Sequence, residues 1–554
     1  MPRPCSSLVL ALSLCLFSAG YASAFSSGSG EDRALNSAIR AEQHAIHAFN
    51  AVSGNPLELQ AFLREMPKGA DLHMHLSGAI YAESFIRDAV DDHLCYSPAS
   101  RSLFKPSTTV HNLPAQVVCG EGNRNAGDAF KDPALYDQMI DDFSMRSFVP
   151  SSGVSGHDHF FATFARFSAL GHRHIGEWLD EVASRAASQN EQYLEIMHTP
   201  DFLAAAKLGY SIPWPSTSAD SNAKTGDAAG TNRADLARLR DQLLAGGLRN
   251  MVATNRKELS DALEARREIE GCGTSPASKA CAVQIRFIYQ ILRGFPPQQV
   301  FAQTLLGFET LQAELDTGHP VAVGINFVMP EDGYLSMSEY HRQMLMLDYL
   351  HSVYPHVHIS LHAGELAPGL VTPDGLRFHI REAVELGHAE RIGHGVDVMY
   401  EDHPKSLLKE MANRHIMTEI NLTSNDVILG VQKQWHPLPI YRAAKVPLAL
   451  STDDEGVSRI DITHEYARAV LDFHLGYLDL KRMARTSLEH SFLPGESLWS
   501  QPDNFTGVNR ACSGLPFGAE KLTPKCTAFL HANERAAQQW QLERRYQIFE
   551  SSLP

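Results

Sequence analysis

Residues 68–76 read Lys68-Gly69-Ala70-Asp71-Leu72-His73-Met74-His75-Leu76, a short apolar run with two histidines one residue apart. The pattern is typical of a buried β-strand, in which the side chains at positions i and i+2 share one face. His73 and His75 can therefore converge on one metal ion from the end of a single strand. Ordinary strands also carry such pairs, so the prediction depends on what the rest of the chain supplies.

Three later segments supply further ligating side chains, each at the end of an apolar run. They are His356-Val-His-Ile-Ser-Leu-His362-Ala-Gly-Glu365, Arg391-Ile-Gly-His394-Gly-Val-Asp397 and Val446-Pro-Leu-Ala-Leu-Ser-Thr-Asp453-Asp454. A strand that ends at an ordinary surface more often carries a turn residue there than His or Asp. The repetition favours one shared site.

Eight strand-like apolar runs alternate with segments of helical pattern along the chain. The predicted strands are Ala70–Leu76, Gln192–His198, Gln284–Leu292, Val321–Val328, His356–Leu361, Arg391–Val396, Ile416–Leu422 and Val446–Ser451. This alternation indicates a parallel α/β architecture. Ionisable residues at C-terminal strand ends favour a (β/α)8 TIM barrel, whose active site lies on that face. A doubly wound sheet is the alternative, but no Gly-x-Gly-x-x-Gly occurs at a strand-to-helix turn.

The chain divides into four predicted regions. Residues 1–24 have the pattern of a signal peptide, with Arg3, an apolar run and the cleavage pattern Ala22-Ser-Ala24. Residues 25–66 form a helical extension, 67–500 the barrel with an insertion at about 92–150, and 501–554 a tail with a disulfide and one helix over Ala528–Phe549. We therefore expect a secreted or periplasmic protein.

Composition narrows the class of function. The chain has 554 residues and a net charge of −16, which argues against nucleic-acid binding, and the apolar run near its start is too short for a confident membrane span. A homodimer remains an open prediction. Removal of the signal peptide leaves six cysteines, which we expect to pair by proximity in an oxidising compartment, with six reduced thiols as the alternative. The expected pairs are Cys95–Cys119, Cys272–Cys281 and Cys512–Cys526.

The candidate ligands suit one catalytic zinc ion per chain. His73, His75, His362 and Asp453 form a His3Asp set that leaves room for water, whose pKa zinc lowers towards neutrality. Glu365 lies just past a ligand and is placed to give or take a proton if burial raises its pKa. His394 and Asp454 can orient the water or move its proton.

These motifs, taken together, resemble the adenosine deaminase family. The resemblance rests on Met66-Pro-Lys-Gly before His73-x-His75, on His362-Ala-Gly-Glu365, on Gly393-His394-Gly395 and on Ser451-Thr-Asp453-Asp454. The signal peptide, extension and disulfide-bearing insertion are similar to the secreted, growth-factor-like branch of that family.

The resemblance implies a purine-nucleoside substrate and a role for each residue. The His3Asp set would bind zinc, Glu365 would protonate N1 of the purine, His394 would assist the attacking hydroxide, and Asp454 would bond with N7. Adenosine would become inosine, with release of ammonia. Gly364 and Asp454 would be among the substrate-binding residues.

Two positions depart from the family pattern. Ser77 stands where adenosine deaminases commonly carry an aspartate that holds the ribose 5′-hydroxyl, and Met329 stands where they carry a glycine whose N–H reaches N3. We expect a looser grip on the 5′ group and less space near the base.

Two other functions are alternatives to a purine-nucleoside deaminase. The first is a zinc amidohydrolase or deaminase for another purine or related substrate; a binuclear member would need a strand-four lysine, which Val321–Pro330 does not contain. The second is a non-catalytic secreted signalling protein, which would be expected to have lost a ligand or Glu365, and none is lost.

Overall fold

Eight parallel strands form one sheet in which each strand pairs with the next one along the chain. They are seen in a computed structural model that describes residues 30–106, 118–151, 153–200, 202–215 and 232–553. We number them barrel strands one to eight: Gly69–His75, Glu191–His198, Gln284–Leu292, Ala322–Val328, His358–Ala363, Arg391–His394, Met417–Ile420 and Leu448–Leu450. All eight predicted strands are confirmed, and no end differs from its predicted position by more than two residues.

Strands one and eight close the sheet into a barrel. Met74 and Asp453 form a parallel bridge. The Asp453 N–H donates to the carbonyl of His73 at 2.9 Å, and the His75 N–H donates to the carbonyl of Asp453 at 3.3 Å. The predicted (β/α)8 barrel is therefore confirmed, and its closure lies at the residues predicted to bind metal.

Helices cover the outside of the barrel between successive strands. Strand four is buried along its whole length, because side chains fill the barrel interior and helices pack on the other face. In chain order these α-helices are Ala82–Asp91, Pro133–Phe143, Gly156–Phe167, Ile175–Ser188, Phe202–Ser211, Arg233–Ala245, Arg249–Ile269, Pro297–Leu315, Tyr334–Ser338, Tyr340–Val353, His379–Glu385, Pro404–Asn413, Leu422–Leu429, Leu438–Ala443, Glu455–Ser458, Ile462–Phe473 and Tyr477–Glu489. Short 3-10 helices occur at Ala126–Phe130, His172–His174, Lys279–Ala282, Pro373–Leu376 and Lys433–Trp435.

The N-terminal extension contains the helices Gly30–Val52 and Pro56–Glu65 and is fastened to the barrel by Lys68. The ammonium of this buried lysine donates to the carbonyls of Leu63, Met66 and Gln189 at 2.6, 3.0 and 2.7 Å. Burial lowers the pKa of Lys68 to about 7. The Met66-Pro-Lys-Gly motif thus has a structural role at the entry to strand one. The predicted signal peptide lies outside the described residues.

The insertion after strand one carries a small antiparallel sheet. Its strands are Cys95–Ser97, Ser102–Phe104 and Arg124–Asn125. The Cys95–Cys119 disulfide ties this sheet to the following loop, and the Cys272–Cys281 disulfide closes the loop after helix Arg249–Ile269. Both disulfides have the predicted pairing.

The tail contains a hairpin, Trp499–Gln501 with Thr506–Val508, and two helices. The third predicted disulfide, Cys512–Cys526, is present and lies in a small hydrophobic core of the tail. The single predicted helix over Ala528–Phe549 is wrong: the helices are Pro524–Ala532 and Glu534–Ser552. They separate at Asn533, whose backbone is extended with φ −134° and whose side-chain oxygen accepts from the Glu496 N–H. Among the described helices, none has the length and apolar character needed to cross a membrane.

Candidate metal centre and active site

The four side chains predicted to bind metal meet at the C-terminal face of the barrel. The Nε2 atoms of His73 and His75 lie 3.1 and 3.2 Å from Nε2 of His362. Oδ1 of Asp453 lies 3.4 Å from His73 Nε2 and 3.3 Å from His75 Nε2. All four ligating atoms lie within 4.8 Å of one another. We call these four residues the metal centre.

Each histidine of the metal centre is anchored through its other ring nitrogen. The anchors are Glu419 Oε2 at 2.6 Å from His73 Nδ1, Gln290 Oε1 at 2.8 Å from His75 Nδ1, and Asn326 Oδ1 at 2.7 Å from His362 Nδ1. Carboxylate and amide oxygens only accept hydrogen bonds, so each Nδ1 carries the proton and each Nε2 keeps its lone pair. The three rings are thereby held in the tautomer that binds a metal ion.

The metal centre fits zinc in spacing and in chemistry. Bonds of about 2.0–2.2 Å from zinc to nitrogen and oxygen place neighbouring ligands roughly 3 Å apart. The buried Asp453 Oδ1 makes no hydrogen bond within the described ranges, whereas Oδ2 accepts from the Ser424 hydroxyl at 2.7 Å. A buried carboxylate oxygen that faces three imidazole lone pairs is costly unless a cation lies between them. The residues therefore fit one zinc ion.

Two glycines make room for side chains of the site. A Cβ added at Gly393 would lie 2.5 Å from Cε1 of His73, and one added at Gly78 would lie 1.5 Å from Oδ1 of Asp454. Any larger residue at either position would displace the ring or the carboxyl group. The Gly393-His394-Gly395 motif thus serves the metal centre as well as His394.

Glu365 follows strand five and lines the cavity next to the metal centre. Its side chain is buried, and its Oε1 lies 3.6 Å from His394 Nδ1 and has no hydrogen-bond partner in the part of the chain that the structure describes. Burial, together with the neighbouring charge of Asp453, raises the pKa of Glu365 well above its ordinary value. The raised pKa favours the protonated form of this carboxyl group.

Glu331, which the sequence analysis missed, holds the turn that carries Glu365. Its carboxylate oxygens accept from the N–H groups of Gly364 at 2.9 Å and Glu365 at 2.8 Å. Burial alone would raise the pKa of Glu331, but the adjacent His379 and Arg293 bring it to about 2. An acidic residue just beyond a buried strand was the signal that could have indicated it.

His394 ends strand six beside the metal centre, with Nε2 3.9 Å from Asp453 Oδ2. Nδ2 of Asn425 donates to His394 Nδ1 at 2.9 Å, because Oδ1 of the same amide accepts from His436 at 3.0 Å. Burial lowers the pKa of His394 to about 3. The ring is therefore neutral, accepts at Nδ1 and presents its Nε2–H towards Asp453.

Asp454 and Ser77 both line the cavity of the metal centre. Burial, reinforced by the charge of Asp453, raises the pKa of Asp454 to about 8, so this carboxyl group can donate a hydrogen bond near neutral pH. Ser77 lies two residues beyond His75, just past the end of strand one. The structure brings both predicted substrate-binding residues to the same space.

Met329 and Gly364 are placed differently from each other. Met329 lines the cavity with a φ of 92°, and its sulfur accepts from the Gly294 N–H at 3.3 Å. Gly364 donates its N–H to Glu331, and its carbonyl accepts from the N–H groups of Val396 and Asp397. Its backbone polar groups are thus engaged by the protein, and its contact with substrate stays a prediction.

The cavity above the metal centre has a volume of about 840 Å³ and a largely aromatic wall. Helix Gly156–Phe167 begins with a capping box between Ser155 and Asp158 and directs one face of phenylalanines into the cavity. The aromatic residues of the wall are Phe160, Phe161, Phe164, Phe167, Trp178 and Phe202. Within the described ranges, no lysine or arginine lines this cavity. It therefore suits an uncharged, flat ligand.

Fold and site together define a (β/α)8 barrel with a candidate metal centre at its C-terminal face. The family model for adenosine deaminase matches residues 268–499. Adenosine deaminase of Clostridium perfringens is 32% identical over 139 residues, which cover 25% of this chain and 39% of that protein. Adenosine deaminase of Xenopus laevis is 24% identical over 442 residues, which cover 79% of this chain and 94% of that protein. Over these residues the chain is similar to proteins of the adenosine deaminase family.

The match to the Clostridium perfringens protein spans 39% of that protein's length. Among solved structures, the N6-methyl-AMP deaminase of Arabidopsis thaliana aligns with a TM-score of 0.48 at 19% identity, covering 78% of this chain and 94% of that chain. The predicted resemblance to the adenosine deaminase family is confirmed by the family model and by these relatives, whereas similarity to its growth-factor-like branch stays a prediction.

Proposed function

We propose that the protein is a secreted or periplasmic, zinc-dependent purine-nucleoside aminohydrolase that converts adenosine or 2′-deoxyadenosine and water into inosine or deoxyinosine and ammonia. The observation that carries the proposal is the buried carboxyl group of Glu365, whose pKa is raised, beside a complete His3Asp metal centre. The purine substrate is proposed from the relatives, because the Clostridium perfringens and Xenopus laevis proteins are adenosine deaminases.

Zinc held by His73, His75, His362 and Asp453 would supply the Lewis acidity that lowers the pKa of a water molecule towards neutrality. The protein's part is to hold these ligands ready. The anchored Nδ1 atoms fix the three rings before any ion arrives, so little reorganisation is needed on binding.

Glu365 acts as the proton donor to N1 of the purine. Its proton makes C6 electrophilic, and the oxygen of water bonds to C6. One proton of the water passes to the Glu365 carboxylate and the other to the amino group as the C6–N6 bond breaks, so that ammonia leaves and C6 becomes the carbonyl carbon of inosine. The turn held by Glu331 sets the position of this carboxyl group relative to the base.

His394 and Asp454 orient the reacting groups. The neutral His394 presents its Nε2–H to the oxygen that attacks C6, and Asp454 in its protonated form donates to N7. The aromatic wall of the cavity keeps water away from both groups. The low local dielectric that results strengthens their hydrogen bonds. The same wall stacks on the flat purine.

The cavity favours nucleosides over nucleotides. A 5′-phosphate carries two negative charges, and within the described ranges no lysine or arginine side chain lines the cavity to receive them. Ser77 offers only a neutral hydroxyl group near the expected 5′ position. Substrates that lack the 5′-hydroxyl or carry an apolar 5′ group should therefore compete well with adenosine.

A nucleoside panel tests the proposal. Ammonia release should be detected with adenosine and 2′-deoxyadenosine, should stay within about tenfold for 5′-deoxyadenosine because a neutral hydrogen bond contributes roughly 0.5–1.5 kcal/mol, and should be weakest for AMP. The Ser77→Asp variant should restore a preference for adenosine over its 5′-deoxy analogue. A steep wild-type preference that Ser77→Ala barely reduces would contradict the role of Ser77, and no ammonia from any adenine nucleoside would remove the substrate assignment.

Secretion is tested separately. Three disulfides within the described residues agree with an oxidising compartment. N-terminal sequencing of protein exported from an expressing cell should begin near Phe25. Full retention of the first 24 residues in the cell interior would refute this part of the proposal.

A further inference from the structure

Three side chains from separate elements meet at the mouth of the cavity, and we call them the rim cluster: His172, His198 and Glu258. His172 begins the 3-10 helix that follows helix Gly156–Phe167. His198 ends strand two, and Glu258 lies in helix Arg249–Ile269. Oε1 of Glu258 lies 2.9 Å from His172 Nδ1 and 3.3 Å from His198 Nε2. The three ligating atoms lie within 4.8 Å of one another.

The rim cluster has the spacing of a metal site. Its two measured distances match those between ligands of the metal centre, and a zinc-type ion about 2.0–2.2 Å from each atom places ligands roughly 3 Å apart. Two histidines and one glutamate form a known catalytic zinc set that leaves a position open for water. Imidazole nitrogens select zinc-like transition metals over Mg²⁺ or Ca²⁺, which prefer oxygen.

The position of the rim cluster connects it to the reaction. His172 and His198 line the same cavity as the metal centre, on the side of strand two. The phenylalanines of helix Gly156–Phe167 line the same cavity. His172 is 61% exposed at its side chain, whereas His198 and Glu258 are 12% and 26% exposed, so an ion from solvent can reach all three. An ion bound here would narrow the entrance.

We propose that the rim cluster binds a second zinc-type divalent ion, separate from the metal centre and more weakly held, and that this ion obstructs entry of the substrate. Three protein ligands hold it instead of four, and solvent competes at His172. The enzyme is therefore inhibited by excess zinc. The effect on turnover rests on the proposed deaminase function, whereas the binding itself does not.

Calorimetric titration with Zn²⁺ tests the binding, starting from protein that retains its tightly bound metal. The wild type should take up one additional ion per chain, and His172→Ala and Glu258→Gln should each weaken that step at least tenfold. His341→Ala is the matched control: His341 Nδ1 also lies 2.9 Å from a glutamate oxygen, that of Glu382, but this pair is not part of a three-ligand group among the described residues. It should bind like the wild type.

The outcomes separate clearly. No additional ion in the wild type, or uptake that persists in both variants, would overturn the site. Circular dichroism checks that each variant is folded. The two substitutions lie on different elements, so if one variant fails to fold, zinc binding by the other still tests the site. Ammonia release measured during the same titration should fall with a midpoint at the second binding step. Binding without inhibition would overturn the obstruction but not the site, and absence of turnover at every zinc concentration would count against the deaminase function alone.

Discussion

The metal centre and the rim cluster use the same kinds of side chain but differ in how they are held. In the metal centre His73 and His362 are buried, and every histidine is fixed through Nδ1 by an acceptor from another strand. In the rim cluster one glutamate oxygen faces both rings, and His172 is mostly exposed. We therefore attribute the tight binding expected at the metal centre, and the weaker binding proposed at the rim cluster, to burial and anchoring of the ligands rather than to ligand type.

The largest expected effect comes from removing a ligand of the metal centre. His73→Ala should lose the tightly bound zinc and bring ammonia release to background, because only three ligands remain and the buried Glu419 loses one of its partners. Metal content by elemental analysis and turnover should fall together. His319→Ala, which removes an exposed histidine far from the cavity, is the control and should keep both. Full activity in metal-free His73→Ala would contradict the claim that turnover requires an ion in the metal centre.

The next effect separates metal binding from proton transfer. Glu365→Gln keeps the size of the side chain and leaves all four ligands in place, so zinc content should stay at the wild-type value. Turnover should fall by about 10²–10⁴-fold, which is the range that general acid–base catalysis contributes. Single-turnover kinetics and elemental analysis on the same sample check the split. Loss of zinc from this variant would mean that Glu365 supports the metal centre instead.

A smaller effect tests the value of anchoring directly. Gln290→Leu removes the acceptor of His75 Nδ1 without changing any ligand. Such partners typically contribute 10–100-fold to metal affinity, and we expect a loss of that order. Competition with a zinc chelator measures it. If the variant holds zinc as tightly as the wild type, anchoring does not explain the difference between the two clusters.

The smallest effect concerns the support of the rim cluster. The Cys272–Cys281 disulfide closes the loop that follows the helix of Glu258. Replacing both cysteines by serine should cost about 2–3 kcal/mol of unfolding free energy, because the loop that it closes is short. Denaturant unfolding measures this loss, and kcat/KM should change little. A large fall in kcat/KM would show that this loop supports the metal centre too.

The sequence predicted the metal centre better than the rim cluster for a physical reason. His73, His75, His362 and Asp453 lie at the ends of buried strands, and parallel strands bring their C-terminal ends to one face. Each ligand therefore had a local signal, namely an apolar run that ends in an ionisable residue. The strands were recognised by the same continuous apolar pattern.

The rim cluster lacked such a signal as a set. Two members of the rim cluster, His172 and Glu258, lie on a short 3-10 helix and on a long polar helix, where histidine and glutamate are ordinary surface residues. Only tertiary packing brings them to His198. The break at Asn533 was missed for a related reason, since its side-chain oxygen accepts from the distant Glu496 N–H, a contact that the local sequence does not show.

Zinc reconstitution tests the central claim most directly. Metal-free protein is titrated with zinc while ammonia release from adenosine is followed. Activity should rise in proportion to added zinc, reach its maximum at one ion per chain and decline only as further zinc fills the rim cluster. Activity that needs two ions per chain, or that is complete without metal, would contradict a single His3Asp metal centre as the source of the reaction.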